Sequence, residues 1–213
     1  MIVLVEFAFD FICPWSRITE RHLHNVINAL PAGVEAEVSW LPFEINPSMP
    51  LNGRDRAAYL RARPENGHHA MPPSVRGRTS ADEDETVFNY GLITRIPSTR
   101  AAHRLVLLAR EPDVKASIVD KVFRAYFQEG KDISSLSLLA GLGREAGMDG
   151  GSVEAFLTNG FGEADVIAAE ARVRCANVIS TPAVRIAATN FYGYVSYEAL
   201  YRTIVSGRGT YTE

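Results

Sequence analysis

What this chain has little of already narrows its chemistry. It has only two cysteines, Cys13 and Cys175, far apart in sequence, and that is no disulfide framework. Lys and Arg total 22 against 25 Asp and Glu, a formal net charge of -3. With no basic cluster, there is no electrostatic footprint for nucleic acid or an anionic membrane. No apolar run reaches the roughly 20 residues that a membrane helix needs. The apolar opening lacks a basic start and a small-residue cleavage site and carries Glu6 and Asp10, so it is read as a buried strand and not as a signal peptide. His68-His69 is an adjacent pair with no cysteine or carboxylate at ligand spacing, and no metal site is expected. The expectation is a soluble, cytoplasmic protein without a tightly bound cofactor.

What is present suffices for a sizeable core: 213 residues, 46% of them hydrophobic. Ile2 to Phe9 reads as a central strand buried on both faces. Trp15, Ile18, Val26, Ile27 and Leu30 then recur at helical spacing until Pro31 and Gly33, giving an amphipathic helix from about Pro14. Glu35 to Trp40 alternates polar and apolar residues, the pattern of a half-buried strand. From about residue 54 to 160 helical stripes follow one another, with Pro97-Ser98-Thr99 as a cap before the run to Leu108. The polar segment Glu65 to Glu85 reads as a surface loop. A helix from about Glu163 to Asn177, strands over Ala183–Ala188 and Phe191–Val195, and a closing helix Ser196–Ser206 complete the pattern. The prediction is a thioredoxin-like α/β fold, residues 1–48 with 161–213, interrupted by an all-helical insertion over 49–160.

Cys13-Pro14-Trp15-Ser16 sits where the first strand hands over to the first helix. A cysteine there lies near unpaired backbone N–H groups and the positive end of the helix dipole, both of which favour the thiolate. Pro14 suits the first helical turn, and Ser16 can turn its hydroxyl back on the sulfur. The plain alternative is a buried structural thiol.

The stretch Asp10-Phe11-Ile12-Cys13-Pro14-Trp15-Ser16 resembles the Cys-Pro-Trp-Cys motif of the DsbA-like family, in its FrnE-like branch of cytoplasmic thiol-disulfide oxidoreductases. Residues 41–47, 101–105 and 125–133 agree in order, and Ser180-Thr181-Pro182-Ala183-Val184 resembles the family's cis-proline loop. The resemblance implies that Cys13 is the attacking cysteine and Pro182 the cis-proline, with Thr181 offering backbone groups to a bound peptide or thiol. Ser16 stands where the family has its second cysteine. A hydroxyl cannot resolve a mixed disulfide, so a dithiol cycle on this motif is excluded. One-cysteine chemistry remains, with an outside thiol such as glutathione as co-substrate.

The catalytic candidates are therefore Cys13 and Ser16, and the substrate-binding candidates Pro14, Trp15, Thr181 and Pro182. Expected partners are protein or small-molecule thiols and disulfides, and a homodimer is left open. Two alternatives stand beside this reading. One is a glutathione-dependent isomerase or transferase, since the chain also resembles the 2-hydroxychromene-2-carboxylate isomerases and kappa-class glutathione transferases, which carry serine at the position matching Cys13. The other is a catalytically silent thioredoxin-fold binding protein. Cys175 is expected to be buried in an alanine-rich helix, His103 to be a hydrogen-bonded core or near-site residue without a catalytic role, and Glu44 and Asn46 to belong to a turn before Pro47.

Overall fold

A computed structural model describes residues 1–62 and 87–207. The first apolar run forms β1 (Ile2–Phe9), and the motif after it opens α1 (Pro14–Asn28). The chain returns as β2 (Glu35–Pro42), parallel to β1 with Ile2 opposite Glu35 and Phe9 opposite Pro42. Strand β5 (Ala183–Ile186) pairs antiparallel with the other edge of β1, placing Ala183 opposite Ala8. Strand β6 (Thr189–Tyr192) closes a hairpin on β5, so the sheet order is β2-β1-β5-β6. Both ends of the chain thus build one sheet, as the sequence pattern implied.

Between β2 and β5 the described residues are mostly helical: α2 (Arg56–Arg61), α3 (Arg100–Leu108), α4 (Pro112–Phe127), α5 (Leu136–Glu145), α6 (Gly150–Thr158) and α7 (Glu163–Cys175). Two short strands, β3 (Arg54–Asp55) and β4 (Arg95–Ile96), pair antiparallel inside this region, where no strand was expected. Helix α8 (Tyr197–Ser206) closes the fold. Ser135 caps α5, Asp149 caps α6 and Ser196 caps α8, each side chain accepting a backbone N–H of the first turn. The expected loop at 65–85 and the pair His68-His69 lie outside the described residues; among the described residues no group of three or more His, Cys, Asp or Glu is placed to hold a metal.

The period-two geometry of β1 sends Val3, Val5, Phe7 and Phe9 into one core with Leu105, Phe123 and Leu139 of the helical region. That core is continuous from sheet to inserted helices. On the opposite face, Ala8 and Ala183 pack with Phe43 and Val173 under α7, whereas Ile2 and Leu4 are 64% and 63% exposed. The expectation of a strand buried on both faces therefore holds only at its C-terminal end. The apolar composition of Ile2 and Leu4 carried no sign that α7 covers just one end of the sheet.

Helix α1 is tied to α4 by a buried cation. Arg17 is 2% exposed and its Nη1 donates to Glu20 Oε2 at 2.5 Å and to Asp120 Oδ1 at 2.8 Å. Its guanidinium also lies over the Phe123 ring, 5.8 Å from the centroid. Burial pushes Glu20 up to about 7 in spite of Arg17.

Two strand and helix expectations need correction. The second hairpin strand starts at Thr189, not Phe191, because Ala187-Ala188 forms a two-residue turn between the paired Ile186 and Thr189. Val195, expected in that strand, instead meets α1: its N–H donates to Thr19 Oγ1 and its carbonyl lies 2.9 Å from His22 Nδ1. Cys175 is exposed and not buried, since α7 buries Val166, Ala169, Glu170 and Val173 and the last residue of the helix falls outside that stripe.

Candidate active site

The C-terminal end of β1 fixes the site. After Asp10 the chain turns, with the Cys13 N–H donating to the Asp10 carbonyl at 3.0 Å, and Cys13 becomes the residue that caps α1 with extended backbone angles. Pro14 takes the first helical turn, where its missing N–H leaves nothing unpaired. Because β5 pairs with β1 at this same end, the loop before β5 is carried alongside. The Thr181–Pro182 peptide bond is cis, and the Cys13 thiol lies 3.4 Å from the Thr181 carbonyl, to which it donates.

The structure brings together four of the six predicted residues around the sulfur: Cys13, Ser16, Thr181 and Pro182. Ser16 is fully buried, and its hydroxyl lowers the Cys13 thiol although Ser16 Oγ makes no well-formed hydrogen bond. Trp15 is half-buried and packs edge-on against Tyr194, ring centroids 5.8 Å apart, so it forms the rim of the site on the side of the β6–α8 connection.

The electrostatic expectation at Cys13 is reversed. Cys13 is 4% exposed, and burial pushes its thiol above the usual range, outweighing the pull of Ser16 and Thr181; the nearby Asp10 charge adds to the rise. The helix start favours a thiolate, but desolvation of the sulfur outweighs it and favours the thiol.

Beneath Cys13 lies a buried acid that the sequence reading passed over as a strand end. Asp10 has no exposed surface; its Oδ2 accepts from the Ile45 N–H at 2.6 Å, and Thr99 donates to the carboxylate. Burial pushes it up to about 7, with help from the charge of Glu44. Thr99 spends its hydroxyl on Asp10, which is why α3 has no side-chain cap bond at the position where one was expected. His103 lies with Nε2 4.0 Å from Asp10 Oδ1 and packs between Phe9 and Phe11. Burial lowers it to about 3, so it is neutral near pH 7 and the pair is no salt bridge.

Glu44 departs from the turn reading. It is 1% exposed and accepts from Arg100 Nε at 2.8 Å, while its N–H donates to Glu170. Asn46 does form the turn, accepting the Met49 N–H, and its side chain accepts from the Tyr59 hydroxyl. Tyr90, not singled out in the sequence, comes from the connection between α2 and α3. Its hydroxyl is buried without a well-formed hydrogen bond, and burial pushes it upward.

A cavity of about 720 Å³ lies elsewhere, lined by Arg95, Arg100, Arg104, Asp132 and Glu163 among others, and shares no residue with the Cys13 cluster. Its charges are already engaged. Arg104 donates to the carbonyls of Phe156, Leu157 and Phe161, Arg100 pairs with Glu44 and Glu163, and Arg95 with Asp132.

A family model described as a DSBA-like thioredoxin domain matches residues 4–205. Among solved structures, a "probable DsbA oxidoreductase" from Streptomyces coelicolor is 20% identical, with 99% of this chain and 92% of that one covered and a TM-score of 0.74. A 2-hydroxychromene-2-carboxylate isomerase is 17% identical over 93% of this chain and 91% of that one, TM-score 0.61. The cytosolic disulfide reductase DsbM from Pseudomonas aeruginosa, solved with GSH, is 15% identical over 94% and 93%, TM-score 0.60. At these identities the likeness is one of fold.

Proposed function

Since the chain belongs to the DSBA-like thioredoxin domain family, we propose that it is a cytoplasmic thiol-disulfide oxidoreductase that works through one sulfur, Cys13, by way of mixed disulfides. The carrying observation is the placement of Cys13 at the start of α1 with its sulfur against the Thr181 carbonyl and the cis Pro182 loop. In this reading a substrate disulfide is received along that loop, and the buried sulfur must be reached past its rim.

The motif has no second thiol, and Ser16 cannot displace a mixed disulfide. Cys175, exposed at the C-terminal end of α7, is no part of the motif, and in this reading the second step falls to an outside thiol. Glutathione is the natural candidate; the fold-level likeness to a disulfide reductase solved with GSH is in keeping with it. In this cycle Cys13 loses its proton to solvent, its thiolate attacks one sulfur of the substrate disulfide, and the other sulfur leaves with the bonding pair. A glutathione thiolate then attacks the mixed disulfide and frees Cys13.

The second reading, a thioredoxin-fold binding protein without turnover, is favoured by one observation, the burial of Cys13 and the raised thiol that follows from it. The two readings part on a single measurement. Incubation with glutathione disulfide near pH 8, followed by intact mass, should show one glutathione added at Cys13, none at that position in Cys13→Ser, and release by reduced glutathione. Cys13 that stays unmodified while Cys175 takes up glutathione would leave the binding reading standing.

A further inference from the structure

Among the described residues two arginines are buried, and they are neutralised in different ways. Arg17, 2% exposed, lies between the carboxylates of Glu20 and Asp120. Arg104, 6% exposed, makes no ion pair with any described residue. Its Nε donates to the Phe161 carbonyl at 2.7 Å, and its Nη2 to the carbonyls of Phe156 and Leu157 at 2.9 and 3.0 Å. Carbonyls satisfy N–H groups but bring no countercharge, and a buried cation without one is costly. The remaining nitrogen, Nη1, carries two N–H groups that no described atom accepts, and Arg104 lines the cavity of about 720 Å³.

The carboxylates of this cavity are already committed to its other arginines. Glu163 pairs with Arg100, as Glu44 does, and Asp132 pairs with Arg95; the charge of Glu163 acts on Arg104 without forming an ion pair. Three lining arginines, Arg95, Arg100 and Arg104, stand against two lining acids, Asp132 and Glu163, which leaves one positive charge in excess. Ala101, Leu136 and Leu157 add apolar wall, and the exposed residues Leu51 and Thr158 also line the cavity.

We infer that this cavity is a binding site for a small organic monocarboxylate, its carboxylate accepting from Arg104 Nη1 and its apolar body resting against Ala101, Leu136 and Leu157. One negative charge matches the one positive charge in excess. A dianion overshoots it, and a neutral molecule leaves Arg104 without a countercharge. The volume falls within the range of about 300–1,000 Å³ in which proteins enclose small organic ligands. The cavity shares no residue with the Cys13 cluster, so the inference stands apart from the mixed-disulfide reading.

The test is calorimetric titration at pH 8 and constant ionic strength with phenylacetate, its neutral isostere phenylacetamide, and the dianion phenyl phosphate. Two variants locate the binding. Arg104→Gln removes the charge but keeps an amide to donate to the carbonyls. Thr158→Glu, at an exposed position beside Leu157, brings one of the protein's own carboxylates to the cavity without touching the core, and it decides the matter if R104Q does not fold. Phenylacetate should bind wild type saturably at one site. Binding should be weaker by about tenfold or more for the amide, for the phosphate and for phenylacetate in either variant, the effect of losing a charge-assisted hydrogen bond. Absence of saturable binding of phenylacetate, equal binding of the amide or the phosphate, or unchanged binding in T158E or in folded R104Q overturns the inference.

Discussion

Replacing Asp10 by Asn should stabilise the protein at alkaline pH and do little at acidic pH. Asp10 is fully buried and its carboxyl rises from 3.8 to about 7. Between those values the folded state holds a proton that the unfolded chain has released, so stability falls as pH rises through this window. The rise corresponds to about 4 kcal/mol once Asp10 is ionised in both states, above pH 7. The asparagine introduced by Asp10→Asn carries no charge, and its side-chain oxygen can still accept the Ile45 N–H. Its amide, however, must sit where the carboxylate took the Thr99 hydroxyl, an exchange costing about 1 kcal/mol. The net expectation is a gain of about 2–3 kcal/mol at pH 8 that fades towards pH 4. Urea unfolding of both proteins from pH 4 to 9 reads it, and the difference curve matters more than either curve. Glu20, also raised to about 7, gives the wild type the same downward slope. His103, lowered from 6.5 to about 3, gives the opposite slope between those values, because the unfolded chain binds the proton that the folded state refuses. Glu44 faces Asp10 and its charge adds to the rise. Subtraction removes the Glu20 and His103 contributions that the two proteins share. A difference that does not change with pH would show that Asp10 stays ionised throughout and would refute the argument.

Three further outcomes follow from the same structure. Ala187 has φ +50 at the first position of the two-residue turn before β6, a place where glycine is unstrained, so Ala187→Gly should stabilise by about 0.5–1 kcal/mol in thermal or urea unfolding. Arg17→Met removes the buried cation between Glu20 and Asp120 and should destabilise by about 3 kcal/mol or more at pH 8. The loss should shrink near pH 5, where Glu20, already raised to about 7 beside Arg17, is protonated; a loss as large at pH 5 would place the damage in packing instead. In iodoacetamide alkylation near pH 7, exposed Cys175 should react faster than Cys13, whose thiol burial raises, and the order should narrow as pH climbs.

Much of the fold was legible because its signals are local. The alternation of β2, the stripe of α1 with Pro14 at its start, and the order of elements from both termini predict the sheet-forming parts before any contact is known. What failed was either non-local or carried no local marker. The exposure of Ile2 and Leu4 depends on which end of the sheet α7 covers, and α7 lies far downstream, so no residue near β1 encodes it. The start of β6 turned on a two-residue turn made of alanines, which lack the Gly or Asn that normally marks one. At the site, Cys13, Ser16 and the Thr181-Pro182 pair were readable from their motif, whereas Asp10 looked like punctuation. An acid that ends an apolar strand three residues before a helix-capping cysteine was the available signal. Tyr90 had none, since only the folded chain shows that its hydroxyl is buried without a well-formed hydrogen bond.

The reversal at Cys13 carries the wider physical point. A helix start offers a sulfur a partial positive charge worth at most about 1–2 kcal/mol, while removing an ionisable group from water costs several kcal/mol unless a counter-charge comes along. Position in the sequence reveals the first term; only burial decides the second, and here it wins. Ser16 bears on the same balance: a hydroxyl in the family's resolving position cannot close a disulfide, and its pull on the buried sulfur is weaker than the burial that opposes it.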